Sequence, residues 1–176
     1  MHASPNRQSG FSLIELLTTL VVVAILIAVA APSYREAQLQ GQATSQANDF
    51  VIAVTTARAE AVKLSQPVRV SALGTWDAGW IVATDANSDG AINGTDIEIQ
   101  RGVAANPTFN WTVVGNATSA AVLDLRFDGQ GRLVAPAEQV LFTLRRADGV
   151  TAQSRRLCVG LSGRVQTFKG EAGSCT

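Results

Sequence analysis

The sequence predicts an α+β fold in which a long N-terminal helix packs on an antiparallel β domain. One observation is a run of nineteen residues without a formal charge, from Leu16 to Tyr34. Another is a change of pattern at Pro67, where helical periodicity gives way to short β-rich runs separated by turn residues. The 176 residues leave room for one helix and one modest domain of about 100 to 150 residues.

The uncharged run is long enough to cross a lipid bilayer. As a helix, Leu16 to Tyr34 would extend about 28 Å, close to the thickness of the hydrocarbon core. Glu15 stands near its start, and an ionised carboxylate in hydrocarbon costs at least about 2.5 kcal/mol unless it finds a partner. Cleavage after Gly10 would create that partner, because the new amino group of Phe11 on a neighbouring subunit is a cation at the right depth.

The residues around this position resemble the class III signal of type IV pilins and type II secretion pseudopilins. The matching features are a short polar leader with one arginine, the block Gly10–Leu16, and Pro32 within the helix. The resemblance implies cleavage between Gly10 and Phe11 by prepilin peptidase, methylation of the new terminus, and assembly in which Glu15 neutralises the adjacent amine. The alternative is an ordinary signal peptide or signal anchor, for which a stronger basic region and a small-residue cleavage site would be typical.

The helix is predicted to continue past Pro32 as far as Leu64. Apolar residues recur there at spacings of three and four, which place them on one helix face. They are Ala43, Ala47, Phe50, Val54, Ala57 and Ala61. Pro32 is expected to kink the helix, and the alternative is that a second helix begins near Ser33. Ser65-Gln66-Pro67 ends the helix, because proline lacks a donor and disfavours helix in the residue before it.

These features divide the chain into three predicted segments. Residues 1–10 form a prepilin leader peptide, and residues 11–65 form the N-terminal helix, with its transmembrane half at 11–34. Residues 66–176 form the β-rich globular domain. The architecture is type IV pilin-like by resemblance to the same family.

Seven β-rich runs are predicted as strands. They are Val68–Ala72, Trp80–Thr84, Ile97–Arg101, Trp111–Val114, Val122–Phe127, Val140–Arg145 and Arg155–Val159. Turn residues separate several of them, including Asp128-Gly129 and Asp148-Gly149. We expect one antiparallel sheet, or a pair of sheets, wrapped on the apolar stripe of the helix.

The charges balance overall but not locally. With 14 basic and 14 acidic side chains, no global electrostatic attraction to nucleic acid is expected. Acidic residues without basic ones gather between Trp76 and Gln100, whereas basic residues predominate after Arg126. Any anion-binding face is therefore expected in the C-terminal half.

Two cysteines, Cys158 and Cys175, lie in that half. In a domain exported to an oxidising compartment they are expected to form one disulfide, worth about 3 kcal/mol on the chain-entropy model. A metal site built on two cysteines is the weaker alternative. The single histidine, His2, lies in the leader, so no histidine base or ligand is predicted for the mature chain.

An acidic loop provides a calcium hypothesis. Asp85, Asn87, Asp89 and Asp96 match most of the spacing of an EF-hand loop, in which alternate oxygen ligands point inward. The last ligand is Asp instead of the usual Glu, and the flanking segments are predicted as strands. The alternative is a β-hairpin connection whose polar side chains satisfy backbone groups. The stretch also resembles a hairpin common in the GspH/FimT subset of minor pilins.

The C-terminal block resembles FimT-type minor pilins of naturally transformable bacteria, which carry a Gly-Arg-x-Arg signature. Gly163 and Arg164 match this signature, but Gln166 stands where the second arginine would be. The resemblance implies a DNA-contacting tail that binds phosphates weakly and without sequence preference. Its candidate residues are Arg155, Arg156, Arg164 and Lys169. The alternative is that the strand arginines are exposed and keep the sheet soluble.

The chain is identified by resemblance as a type IV minor pilin of the GspH/FimT family, a structural subunit that primes or caps pilus assembly. The alternative is a type II secretion minor pseudopilin, and DNA contact during natural transformation would be an added role. Expected partners are other minor pilins, the major pilin, prepilin peptidase and the inner-membrane assembly platform. The expected location is the bacterial inner membrane, with a single pass and a periplasmic domain, and the pilus after assembly. No catalytic set of nucleophile, base and orienting group is recognisable, and no cofactor is expected beyond the calcium hypothesis.

Overall fold

The computed structural model describes residues 11–171 and residue 175. Within them, one helix, α1 (Leu13–Leu64), precedes nine strands. The strands are β1 (Val68–Leu73), β2 (Thr75–Thr84), β3 (Glu98–Arg101), β4 (Phe109–Gly115), β5 (Asp124–Phe127), β6 (Leu133–Ala135), β7 (Val140–Arg146), β8 (Arg155–Val159) and β9 (Val165–Lys169). The predicted α+β class is confirmed.

The chain separates into two compact units, Met1–Leu39 and Gln40–Thr176. The first unit holds the N-terminal part of α1, in which residues 11–38 are all exposed. The helix is continuous through Pro32, so a second helix beginning near Ser33 is not observed.

The second unit contains two antiparallel sheets. The first sheet has the strand order β3-β2-β1-β5-β6, and the second sheet has the order β4-β7-β8-β9. Of the two predicted arrangements, one sheet or a pair, the pair is observed, but β6 and β9 were not among the predicted strands. β6 has three residues, and β9 lies at a sheet edge with mostly exposed side chains, so neither has a clear pattern of one-sided burial.

Phe50 of α1 is the centre of the core in the second unit. It is 1% exposed, and its ring lies 4.2 Å from Phe142 of the second sheet and 5.6 Å from Trp80 of the first sheet, between ring centroids. Trp76 and Trp111 lie at 5.5 and 5.7 Å. One helix side chain thus joins aromatic residues of both sheets. All six apolar helix residues predicted to face the β domain are buried.

The ends of the two sheets meet against Arg58 of the helix. The Arg58 Nε donates a hydrogen bond to the Gly131 carbonyl at 3.2 Å, and the Leu133 N–H donates to the Leu161 carbonyl at 2.9 Å. Gly163 has a φ of +73°, and a Cβ atom there would overlap the Gly131 carbonyl oxygen. Glycine is therefore required at position 163 for this packing.

The second sheet has an inner face, which contains the buried Leu157 and Val159, and an outer face, which contains Cys158. Cys158 forms the predicted disulfide with Cys175, and the two Cα atoms are 5.6 Å apart. Both cysteines are buried. The bridge holds residue 175 at the outer face of β8.

Candidate assembly site and charged clusters

The described part of the chain begins at the predicted mature terminus, Phe11, and Gly10 lies outside it. Ser12 caps α1, because the Glu15 N–H donates to the Ser12 carbonyl at 3.1 Å and to the Ser12 hydroxyl at 3.3 Å. The Phe11 side chain is 82% exposed. The predicted methylation site and the helix start therefore lie next to one another, with nothing of the described chain packed over them.

The helix from Leu13 to Tyr34 presents apolar side chains on every side. By length and composition, α1 is the one described helix that is suited to cross a membrane. Glu15 carries the single formal charge in this stretch, and its carboxylate has no hydrogen bond or ion pair with any described residue. An unpaired carboxylate on an apolar helix favours a partner from another molecule.

The other polar side chains near Glu15 are satisfied within the helix. The Thr18 hydroxyl donates to the Glu15 carbonyl at 3.0 Å, and the Thr19 hydroxyl donates to the Leu16 carbonyl at 2.8 Å. Among the described polar side chains in the first two turns of α1, Glu15 is therefore the one that has no hydrogen-bond partner.

The acidic loop between β2 and β3 is anchored by Asp85, which is fully buried. Its Oδ2 lies 3.7 Å from Arg69 Nη1 and 3.9 Å from Arg126 Nη1. Arg69 also binds Asp124, with Nε donating to Oδ1 at 3.0 Å. Two arginines thus balance two carboxylates under the loop, where a single unpaired charge would be costly. Sequence reasoning missed this cluster because its members are brought together by strand pairing.

The remaining calcium candidates bind donors of their own loop. Asp96 accepts hydrogen bonds from the N–H groups of Ala86 and Asn93, at 3.0 and 2.9 Å. The Asn87 Nδ2 donates to Asp89 Oδ2 at 2.6 Å. Across the described ranges, no three Asp, Glu, His or Cys side chains are grouped as for a metal ion. The geometry resembles the hairpin alternative, with side chains satisfying backbone groups, and calcium binding stays an untested prediction.

A pH dependence follows from Asp89. The Ala91 N–H, with the carboxamides of Asn87 and Asn93, holds the pKa of Asp89 below its ordinary 3.8. These hydrogen bonds therefore stabilise the loop fully above about pH 3.8, and the stabilisation is lost as the pH falls through the lower pKa of the folded state. In a carboxyl NMR titration of the full chain in detergent, we expect a midpoint below 3.8. Asn93→Ala should raise it, and a wild-type midpoint at or above 3.8 would contradict this account.

Arg155, the first of the DNA candidates, is buried in the interior of the domain. It is 9% exposed, and its Nη2 donates to the Thr44 hydroxyl of α1 at 2.9 Å. Its Nη1 donates to the carbonyls of Gln153 and Ser154 at 3.2 and 3.0 Å. The prediction of an exposed Arg155 is therefore wrong, because the register of β8 directs this side chain to the inner face. Its guanidinium ties β8 to the helix.

The other DNA candidates lie on two faces of the second sheet. Lys169 is paired with Arg155 on the inner face, because directly opposed residues point to the same side. Arg156 lies on the outer face. Arg164 is exposed and lines a pocket together with Cys158, which places it on the outer face as well. The four candidates thus form no single basic patch. DNA contact stays an untested prediction, and of its candidates Arg164 and Lys169 are exposed.

Two family models match the chain. One, described as type II transport protein GspH, matches residues 46–163, more than half of the chain. The other, described as a prokaryotic N-terminal methylation motif, matches residues 5–31. No curated protein sequence matches the chain.

Two crystal structures of the type IV minor pilin FimU from Pseudomonas aeruginosa strain PAO1 have a similar fold. In space group P21 the identity is 23%, the match covers 81% of this chain and 98% of the FimU chain, and the TM-score is 0.57. In space group P65 the identity is 25%, the coverage is 76% and 99%, and the TM-score is 0.58.

Proposed function

The chain belongs to the GspH family of pilins and pseudopilins, and we propose that it is a minor pilin of a type IV pilus whose structural role is to prime or cap fibre assembly. In this role, prepilin peptidase cleaves after Gly10 and the Phe11 amine is methylated. The assembly platform of the inner membrane then transfers the subunit from the bilayer into the fibre. Its β domain lies in the periplasm before assembly.

The observation that carries the proposal is the exposed apolar helix with one unpaired carboxylate, Glu15, in its first turn. A stretch that is apolar on every side needs lipid or other apolar helices around it. A carboxylate at its start needs a cation at the same depth, and the Phe11 amine of an adjoining subunit meets that need. The similarity to the minor pilin FimU supports the choice of a pilus.

The second candidate is a minor pseudopilin of a type II secretion system. It is favoured by the family model that matches residues 46–163, whose description is a type II transport protein. The chemistry of the helix would be the same in both machines, because each assembles subunits from the membrane. The two candidates differ in the fibre that contains the chain.

A deletion in the source bacterium separates these candidates. Loss of the chain should reduce surface pili in sheared fractions and leave secretion of exoproteins unchanged, and the full-length wild-type chain should restore the pili. The chain itself should be detected in sheared pili by immunoblot. Normal piliation combined with lost secretion would reject the pilus and select the pseudopilin.

A further inference from the structure

The edge of the second sheet at β9 has backbone groups that no described strand uses. Gly160 donates to the Arg164 carbonyl at 2.9 Å, and Gly170 donates to the Ser154 carbonyl at 2.8 Å. In an antiparallel ladder, such bonds recur at every second residue. The even-numbered residues of β9 therefore bond β8, and the N–H and C=O groups of Val165, Thr167 and Lys169 point outward.

A groove runs along this edge. It has a volume of about 300 Å³ and lies between helix residues Thr44 and Asn48 on one side and Thr167 and Lys169 on the other. Both β9 residues belong to the inner face yet are exposed, so the sheet stops before it covers the helix. Arg155 forms part of the groove lining.

The other sheet edges of the described chain either form hydrogen bonds with neighbouring segments or have features that discourage strand addition. Trp111 of β4 donates its N–H to Asp77 of the neighbouring sheet at 2.6 Å, and Leu133 of β6 donates to the β8–β9 turn. β3 has an irregular register and an ion pair between Glu98 and Arg101, features that discourage pairing with another strand. β9 has a regular register and a single charged side chain, Lys169.

The C-terminal segment of the chain does not fill this edge where it is described. Glu171 binds Arg145 on the outer face, with Arg145 Nη2 donating at 2.9 Å. Cys175 is bonded to Cys158, also on the outer face. These contacts lie on the side of the sheet opposite to the groove.

A second copy that pairs through its own β9 is also a poor occupant. Two β9 strands that pair through the same edge about a two-fold axis run antiparallel. Their α1 helices would then point in opposite directions, whereas subunits inserted in one membrane have parallel N-terminal helices. A strand from a different subunit carries no such restriction.

We propose that β9 accepts an extended strand from a different pilin subunit, which adds to the second sheet and lies in the groove beside α1. Main-chain hydrogen bonds to Val165, Thr167 and Lys169 hold this strand. An acidic side chain of the partner faces Lys169, whose ammonium has no hydrogen bond or ion pair with any described residue. The identity of the partner as a pilin rests on the proposed function.

The first test is Thr167→Pro in the full-length chain in its source bacterium. Proline removes an outward N–H and none that bonds β8, and it is tolerated at such edge positions. We expect normal levels in the membrane and a loss of about tenfold from assembled fibres, because one main-chain hydrogen bond is removed and a carbonyl of the partner strand is left unpaired. Thr167→Val keeps the N–H and is the matched control, with wild-type incorporation. Wild-type incorporation of Thr167→Pro overturns the proposal.

Photocrosslinking provides a second test that leaves the backbone intact. Thr167→p-benzoylphenylalanine should give a covalent adduct with one other pilin subunit in whole cells, mapped to an extended acidic segment. Thr112, exposed on β4 of the same sheet, is the control position and should give no such adduct. Absence of the adduct at position 167 overturns the strand proposal, even when the chain is found in fibres. An adduct formed in the membrane supports it, even when the chain is absent from fibres and the proposed function fails.

Discussion

Glu15→Ala is expected to leave the β domain folded and to reduce incorporation into fibres by about tenfold or more, since each 1.4 kcal/mol of lost pairing is a factor of ten. The carboxylate lies in an apolar stretch and has no partner within the described chain. In the proposed assembly, its partner is the Phe11 amine of an adjoining subunit. The measurement is the ratio of fibre-bound to membrane-bound chain in sheared cells.

Glu36→Ala is the matched control for this change. It removes a carboxylate from the same helix, but beyond the uncharged stretch that ends at Tyr34. Its incorporation should stay near the wild-type level. For each of the two variants, the mass of the purified protein verifies that cleavage after Gly10 is unaffected. Equal incorporation of Glu15→Ala and Glu36→Ala would reject the charge-pairing account.

Phe50→Ala should cost about 3–5 kcal/mol of the free energy of unfolding, the range for removal of a buried aromatic ring. The Phe50 ring contacts Trp80 of the first sheet and Phe142 of the second sheet, so its loss leaves a cavity between the sheets. Urea unfolding of the full chain in detergent, followed by tryptophan fluorescence, measures the effect.

Ile52→Ala is the control for Phe50→Ala. Ile52 lies two residues further along the same helix and is 54% exposed. The Ile52→Ala change removes an apolar side chain whose helix propensity is similar to that of Phe, but it opens no cavity. We expect it to lower the free energy of unfolding by no more than about 1 kcal/mol. A cost below about 1 kcal/mol for Phe50→Ala as well would mean that the two sheets are held together without this ring.

The helix and most of the strands were predictable because their signals are local. The spacing of apolar residues from Ala43 to Ala61 identifies the buried face of α1, and Pro67 fixes its end within a few residues. β9 was not predicted, because this edge strand has mostly exposed side chains and so no buried face that requires apolar and polar residues to alternate. Its position becomes visible only through its pairing with β8.

The roles of charged residues were less predictable, because they depend on strand register. Arg155 and Arg156 are neighbours in sequence, yet one is buried against the helix and the other lies on the outer face. Asp85 similarly belongs to an acidic loop in the sequence but to a buried arginine cluster in the fold. Gly163 matches a DNA-binding signature, although packing against Gly131 is a sufficient reason for a glycine there.

The uniform apolar surface of the N-terminal helix has a consequence for how precisely a neighbouring subunit can be placed. Between Leu16 and Tyr34 no side chain carries a charge, and the hydroxyls of Thr18 and Thr19 are bonded to their own helix. A neighbouring helix therefore meets no charge along these residues, and its axial position there depends on side-chain packing. In the proposed assembly, the ion pair of Glu15 would add one fixed contact, so the axial step between subunits would depend strongly on a single residue.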